Sequence, residues 1–354
     1  MKFTFKPSPN YRVAQSTTDI MKYLTVALGA VLLTSIIWYG VSYGLAMRVI
    51  MLTVCAVASA LLTETAYFAF TKSKDILHDV THSYGWVTAI IMVLMTRVDV
   101  SYYAMVICVA VAILFGKLLF GGFGQNIFNP AAFGEALIMN AFTSTGSEAV
   151  TAQVLSGATP MTSMATTGWG CNGPQILAEI KTYGGLFGML MGNYPSVIGG
   201  SCALILIVAF IYLVYHRVID VRLSVSYIVT LFVVALITGL THGSGIEFAL
   251  FNVLAGGGLF AAVFMVTDPV TTPVSIPGRY IFGICAACLT LILRWKASVP
   301  DGALFAILLM NMLVPAIDRA CDGSQIKDAK KIRNVTCGVS AVVFIITAVI
   351  AVTL

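Results

Sequence analysis

The sequence predicts an all-α, polytopic membrane protein, and three observations carry that prediction. Hydrophobic residues make up 59% of the 354-residue chain and charged residues only 10%. Mean hydropathy is +0.94. A soluble domain carries roughly 25% charged residues, so a surface of this composition could not face water. The apolar runs are about 20 residues long, the length a helix needs to cross a hydrocarbon core of roughly 30 Å. The first 19 residues are polar and basic and lack the short apolar core of a cleavable signal. The net charge of +5 is scattered over short loops and gives no nucleic-acid footprint.

Element by element, the runs fall at 20–39, 45–70, 84–96, 101–119, 130–142, 196–215, 225–241, 248–266, 279–295, 302–317 and 335–354. The segments at 84–96 and 130–142 are too short for ordinary spans. They read as half-helices or re-entrant pieces, which a membrane tolerates only when they are buried in protein. About ten spanning elements are therefore expected. Orientation follows from Lys and Arg, which concentrate in cytoplasmic loops. With the N-terminus in the cytoplasm, alternation through these runs puts only Arg48, Arg97, Lys181, Arg294 and Lys296 outside and the other fifteen cations inside. The long 143–195 loop then lies on the outer face.

An echo divides the chain. Asn126-Ile-Phe-Asn-Pro130-Ala131 and Asn311-Met-Leu-Val-Pro315-Ala316 share an Asn-x-x-x-Pro-Ala pattern 185 residues apart. Transporter-like folds are commonly built from repeated halves with broken helices. The expected organisation is a cytoplasmic segment 1–19, a first five-helix half 20–142 and the outer loop 143–195. A similar second half 196–317, a basic cytoplasmic loop 318–334 and a terminal helix 335–354 follow.

Three polar interruptions look chemical. The loop at 143–195 contains Ser156-Gly157-Ala158-Thr159-Pro160, small residues leading to a reachable hydroxyl. Gly121-Gly122-Phe123-Gly124-Gln125-Asn126-Ile127-Phe128-Asn129-Pro130 places glycines, which let backbone approach a flat ligand, beside two amides able to meet a heterocycle edge. It lacks the Gly-Lys-Ser/Thr ending of a phosphate loop. Thr267-Asp268-Pro269-Val270-Thr271-Thr272-Pro273 ends an apolar run at a carboxylate, a functional candidate at membrane depth and otherwise a helix cap.

Other groups weigh less. Cys285-x-x-Cys288 lies inside an apolar run without a partner pair, which reads as packing. His78 and His82 share a helical face near Asp79 but have no third ligand in sequence, so no metal site is assigned. Glu64 and Glu135 are candidates for an ion path or for polar helix contacts. No Ser/His/Asp arrangement suggests hydrolysis, and no catalytic residue is assigned.

Together, Ser156–Thr159, Gly121–Glu135 and Thr267–Tyr280 resemble one family, the membrane subunits shared by Rnf complexes and sodium-pumping NADH:quinone reductases. The resemblance covers essentially the whole chain in order. The short N-terminus is more similar to the RnfD branch than to the quinone-reductase B branch. It implies FMN joined covalently to Thr159 by a phosphoester, with Ser156, Gly157 and Ala158 completing the motif that a flavin transferase reads outside the cytoplasm. The position three before Ser156, usually acidic in that motif, is Gln153. It also implies a non-covalent riboflavin toward the inner side, with Asn126, Asn129 and Asp268 matching its polar contacts.

The same resemblance implies an electron-transfer subunit of an ion-translocating ferredoxin:NAD⁺ oxidoreductase in the bacterial cytoplasmic membrane. Its expected partners are the other membrane and peripheral subunits, including an outer-face subunit with its own covalent FMN. No dinucleotide fold or iron–sulfur cysteine run is present, so NAD and ferredoxin should bind elsewhere in the complex. The competing readings are a channel or secondary transporter on the same scaffold, and a quinone-reductase B-type subunit.

Overall fold

A computed structural model describes residues 15–142, 160–166, 169, 173–192, 194, 196–297, 299, 302–322 and 329–352. Ser156, Gly157, Ala158 and Thr159, with Gln153, lie outside these residues. The described chain is helical throughout its spans, as expected. Seven helices are long and apolar enough to cross a membrane, and one bent pair makes an eighth candidate among the described residues.

The first group begins with α1 (Thr17–Tyr43) and α2 (Ala46–Phe70). Ser16 starts α1 with a capping box: its hydroxyl accepts from Asp19 N–H at 3.2 Å, and the Asp19 carboxylate accepts from Ser16 N–H at 3.3 Å. Two of the orphan donors of the first turn are thereby satisfied. Gly44, at φ +69°, ends the helix in the left-handed conformation that favours glycine. After α3 (Ile76–Ser83) come the short α4 (Gly85–Met95), α5 (Tyr102–Gly116) and the short α6 (Pro130–Ala141). At 1.5 Å per residue, α4 and α6 measure only about 16–18 Å, so neither crosses alone. They correspond to the pieces expected at 84–96 and 130–142. Both pack inside the group: α4 against α2, and α6 against α5.

Three short helices follow, α7 (Pro160–Thr166), α8 (Gly173–Thr182) and α9 (Gly185–Met191). The second group comprises α10 (Ala203–Tyr215), α11 (Val221–Thr241), α12 (Gly245–Leu254), α13 (Gly258–Phe260, continuing as a π-turn through Met265), α14 (Ile276–Lys296), α15 (Ala303–Ala320) and α16 (Ala329–Val352). Here α11 packs on α12 and α14, and α14 on α15 and α16. The groups join where α1 meets α10 and where α6 meets α15. Outward faces keep Leu33, Ile37, Ile211 and Ile345 exposed, apolar surface suited to lipid or to neighbouring subunits.

The run expected as one span at 248–266 is instead broken, with a 64° bend between α12 and α13. Ala255-Gly256-Gly257 makes the break, and Gly256 takes φ +75°. A broken helix exposes carbonyls that the bilayer cannot hydrate. The guanidinium of Arg294, wholly buried on α14, meets this need by donating from Nη1 to the Asn252 carbonyl at 2.8 Å. Its Nη2 lies 2.8 Å from where a β-carbon on Gly258 would stand, so the glycine admits the cation.

Arg48 does a similar task at the start of α2. Its Nε donates to Val98 O at 2.6 Å, and Nη2 to Asp99 O at 3.1 Å and Val100 O at 3.0 Å. The irregular stretch between α4 and α5 is satisfied from within the protein. Arg48 and Arg294, counted as outer-loop charges in the sequence, are therefore buried helix residues, and Lys117, counted as inner, closes α5 from the interior. A charge census sees only residue type, whereas burial depends on which partner the fold supplies. Without these three the loop bias keeps its sign.

The echoed motif falls in two different settings. Pro130 opens α6, where its missing N–H costs nothing, while Pro315 sits inside α15. The two motifs nevertheless touch. With the Asn311 side-chain amide turned to the orientation that satisfies its neighbours, Oδ1 accepts from Asn129 N–H at 3.0 Å and the amide nitrogen donates to Thr271 O at 3.1 Å. One amide thus ties α6, α15 and the segment after Asp268 together.

Close packing gives a direct test of the α4–α5–α6 cluster. A β-carbon on Gly134 would lie 2.8 Å from that of Ala112, whereas one on Gly29 of α1 meets nothing within 4 Å. Gly134→Ala should lower thermal stability in detergent by about 1–3 kcal/mol. Gly29→Ala should leave the unfolding midpoint unchanged or slightly raised.

Candidate functional site

A cleft with a free volume of about 100 Å³ opens between the two helical groups. That is less than the roughly 300–1,000 Å³ typical of small-molecule sites. Its walls come from the start of α1 (Ile20, Met21, Leu24), the α3–α4 junction (Tyr84, Val87, Thr88), the Phe123–Ala131 segment and Phe264–Val270, with Lys117, Val218 and Ile219 closing it. Asn126 and Asn129, from one segment, and Asp268, far from them in sequence, all line this one space.

The Gly-rich segment reaches the cleft through left-handed turns. Gly121, Gly122 and Gly124 have φ of +115°, +92° and +87°. These values require glycine and reverse the chain between Phe120 and Asn126. The aromatic ring of Phe123 is thereby set against Tyr84, edge to face with centroids 5.3 Å apart. Such a pair offers a flat apolar wall.

The polar groups divide between structural and available roles. Asn129 Oδ1 caps α6, accepting from Ala131 N–H at 3.0 Å and Ala132 N–H at 3.3 Å. Its Nδ2 donates to nothing among the described residues. Asn126 Nδ2 donates to the Phe128 carbonyl at 3.1 Å, which leaves its Oδ1 open among the same residues. Asp268 holds the turn after the π-segment: Oδ1 accepts from Val270 N–H at 3.2 Å and Oδ2 from the Thr271 hydroxyl at 3.1 Å. Each carboxylate oxygen has further lone pairs. The cleft thus presents an amide donor, an amide acceptor and a carboxylate beside aromatic rings, a set that fits the polar edge and flat face of a heterocycle.

Lys117 is a wall residue that none of the sequence motifs singles out. Only 4% of its side chain is exposed, and Glu64, on α2, is fully buried. The ammonium lies 3.1 Å from Glu64 Oε1 and also donates to the Ser83 carbonyl. The Ser83 hydroxyl donates to the same carboxylate oxygen at 2.6 Å. A β-carbon on Gly85 would stand 2.5–2.6 Å from the carboxyl group, so glycine there lets Glu64 sit against the first turn of α4. An anion is favoured at a helix N-terminus. Glu64 Oε2 has no hydrogen-bond partner among the described residues. On its other side the ammonium lies 5.9 Å from the centre of the Phe123 ring. A cation ending an apolar run just before a Gly-rich segment was the signal available in sequence.

The second intramembrane carboxylate lies elsewhere. Glu135, on α6, accepts from Thr96 and lines a second pocket with Arg97, Asp99 and Phe142. Arg97 and Asp99 pair at 3.2 Å. This pocket is at the Arg48 end of the bundle. Ser59 donates to Val106 O and Tyr67 to Leu118 O, so α5 runs parallel to α2, from the Arg48 end toward Lys117. Phe142 packs on Tyr103 in the first turn of α5. The chain therefore leaves α6 toward residue 143 at the end opposite the cleft. It returns there too, since the Ser196 carbonyl accepts from Tyr39 near the end of α1 at 2.7 Å.

The remaining candidates do not join either site. Cys285 and Cys288 are buried free thiols on α14. His78 and His82 do share a helical face, with rings stacked 4.0 Å apart on α3.

The chain is similar to known proteins over most of its length. The model of the NQR2, RnfD, RnfE family matches residues 4–327. The D component of the proton-translocating ferredoxin:NAD(+) oxidoreductase complex of Clostridium ljungdahlii is 30% identical over 328 residues, covering 90% of this chain and 94% of that protein. The corresponding component of the Na(+)-translocating ferredoxin:NAD(+) oxidoreductase complex of Acetobacterium woodii is 28% identical, covering 90% and 93%. That of an ion-translocating oxidoreductase complex of Haemophilus influenzae is 27% identical, covering 89% and 95%.

The double duty of Asn129 can be separated by substitution. Asn129→Ala should destabilise the protein by about 0.5–2 kcal/mol through loss of the α6 cap. Asn129→Asp should keep most of that stability, because the carboxylate still accepts from Ala131 and Ala132. Thermal unfolding of the two variants in detergent checks this.

Proposed function

The chain belongs to the NQR2, RnfD, RnfE family, and on that premise we propose that it carries electrons on two flavins within an ion-translocating ferredoxin:NAD⁺ oxidoreductase complex. At the coarser level, a multi-pass membrane subunit of such a complex is what the relatives support. The finer reading places riboflavin, held without a covalent bond, in the cleft of Asn126, Asn129 and Asp268. One observation carries it: three polar residues from two segments distant in sequence line a single aromatic-walled cleft.

The second flavin, FMN, is assigned to Thr159 through a phosphoester, with Ser156, Gly157 and Ala158 as the surrounding motif. The exit and return of the chain at the end opposite the cleft support sites near opposite faces of the membrane. On this reading the cleft faces the cytoplasm, where the N-terminus lies. Thr159 lies outside, where a flavin transferase and an outer-face subunit bearing its own FMN would meet it. Fold and charge bias favour this orientation together.

A bound flavin supplies one- and two-electron chemistry. The chain's own residues supply position and surroundings. Tyr84 and Phe123 give a flat face, and the amides of Asn126 and Asn129 meet ring-edge acceptors and donors. Asp268 fixes one polar edge, while Ile20, Leu24, Val87 and Ile91 limit access of water. Dinucleotide and ferredoxin binding belong to other subunits.

Two measurements test the assignment. Thr159→Val should abolish in-gel flavin fluorescence of the denatured polypeptide while the complex still assembles; fluorescence that survives would remove Thr159 as the attachment point. Asn126→Ala and Asp268→Asn should each weaken the non-covalent flavin by about 1–3 kcal/mol, the range of a lost buried hydrogen bond, and leave the covalent FMN intact. Extraction and quantification of riboflavin from the purified complex reads this directly. Unchanged riboflavin in both variants places it elsewhere.

A further inference from the structure

We propose that Lys117 sets the redox potential of the ring system bound in the cleft, with Glu64 and Ser83 holding its ammonium in place. This rests on the flavin reading of the cleft and assigns a charge to it that the motif residues lack. Asn126 and Asn129 are neutral, and Asp268 would disfavour added negative charge. Lys117 is the cation that lines the same space.

Its geometry is that of a fixed charge. The side chain is 4% exposed and is gripped by the Glu64 carboxylate at 3.1 Å and by the Ser83 carbonyl. The Ser83 hydroxyl, donating at 2.6 Å, fixes that carboxylate in turn. Glu64 is wholly buried and does not line the cleft, whereas Lys117 and the Phe123 ring, 5.9 Å from its ammonium, both do. The positive end of this pair is therefore nearer the cleft than the negative end. A replacement of similar volume without charge would fill the space equally well, so packing alone does not account for the pair.

The consequence is electrostatic. Reduction adds negative charge to a flavin ring, and a cation held near it favours the charged form. The effect is strong because the interior screens poorly. Lys117 thus acts as a positioning residue for charge, stabilising the reduced ligand relative to the oxidised one. Buried in the wall, it loses little of that effect to salt.

The test is spectroelectrochemical titration of the non-covalent flavin in the purified complex. Lys117→Met should lower the reduced-over-oxidised affinity ratio at least tenfold, which is about 30 mV for a two-electron couple. Lys117→Arg should restore most of it. Removing one partner of a buried pair can prevent folding, so the double variant Lys117→Met/Glu64→Gln, which leaves no orphan charge, should show the same downward direction. Lys74→Met, an exposed cation outside the cleft, should not move the potential. Flavin retained at an unchanged potential in both Lys117→Met backgrounds overturns the inference while leaving the cleft assignment standing. A wild-type complex without a flavin sensitive to Asn126→Ala and Asp268→Asn overturns both.

Discussion

Peptide groups freed by a broken helix must be satisfied from inside the protein when water is absent. That constraint organises this structure. Four interruptions stand out within the apolar body of the described residues: after α4, before α6, between α12 and α13, and after the π-segment ending at Met265. Each has its own internal partner. Arg48 donates to three carbonyls of the first, Asn129 caps the second, Arg294 reaches the third, and Asp268 closes the fourth. Remove these side chains and the interruptions would expose bare backbone to hydrocarbon.

The interruptions are also where the chemistry collects. Half-helices such as α4 and α6 end within the bundle, so the residues at their termini face one another rather than the membrane surface. Asn129 and Asp268 stand at two such ends and Lys117 at the end of α5, and Asn311 joins Asn129 to Thr271 beside Asp268 by a pair of hydrogen bonds. The cost of ending a helix in the membrane is thereby offset by polar groups that also line a cleft. A charged pair there is retained at an energetic cost that a purely structural wall would avoid.

The two ends of the bundle have different characters. At one, the cleft combines aromatic walls with amides, a carboxylate and the Glu64–Lys117 pair. At the other, Glu135, Arg97 and Asp99 surround a second pocket, close to where the chain leaves toward Thr159 and returns at Ser196. Such polarity suits the proposed reading, with flavin sites near opposite faces of a membrane. The apolar outer faces of α1, α10 and α16 leave room for the lipid and neighbouring subunits that a complex requires.

Sequence alone determined the solvent, because 59% hydrophobic residues cannot be hidden in a chain of this size without a bilayer. It determined the helical class, the shortness of the 84–96 and 130–142 pieces, and the polar breaks at Gly121–Pro130 and Thr267–Pro273. These are local properties, written in run length and in Gly, Pro and Asn. Tertiary structure alone decided what satisfies the bend at Ala255-Gly256-Gly257 in the run at 248–266, since the arginine that donates to its freed carbonyl is carried by a different helix. It likewise decided that Lys117 is a buried wall residue rather than a loop charge. A lysine at the end of an apolar run looks the same in sequence whether it meets water or Glu64, and only the packing of α2 against α5 distinguishes the two.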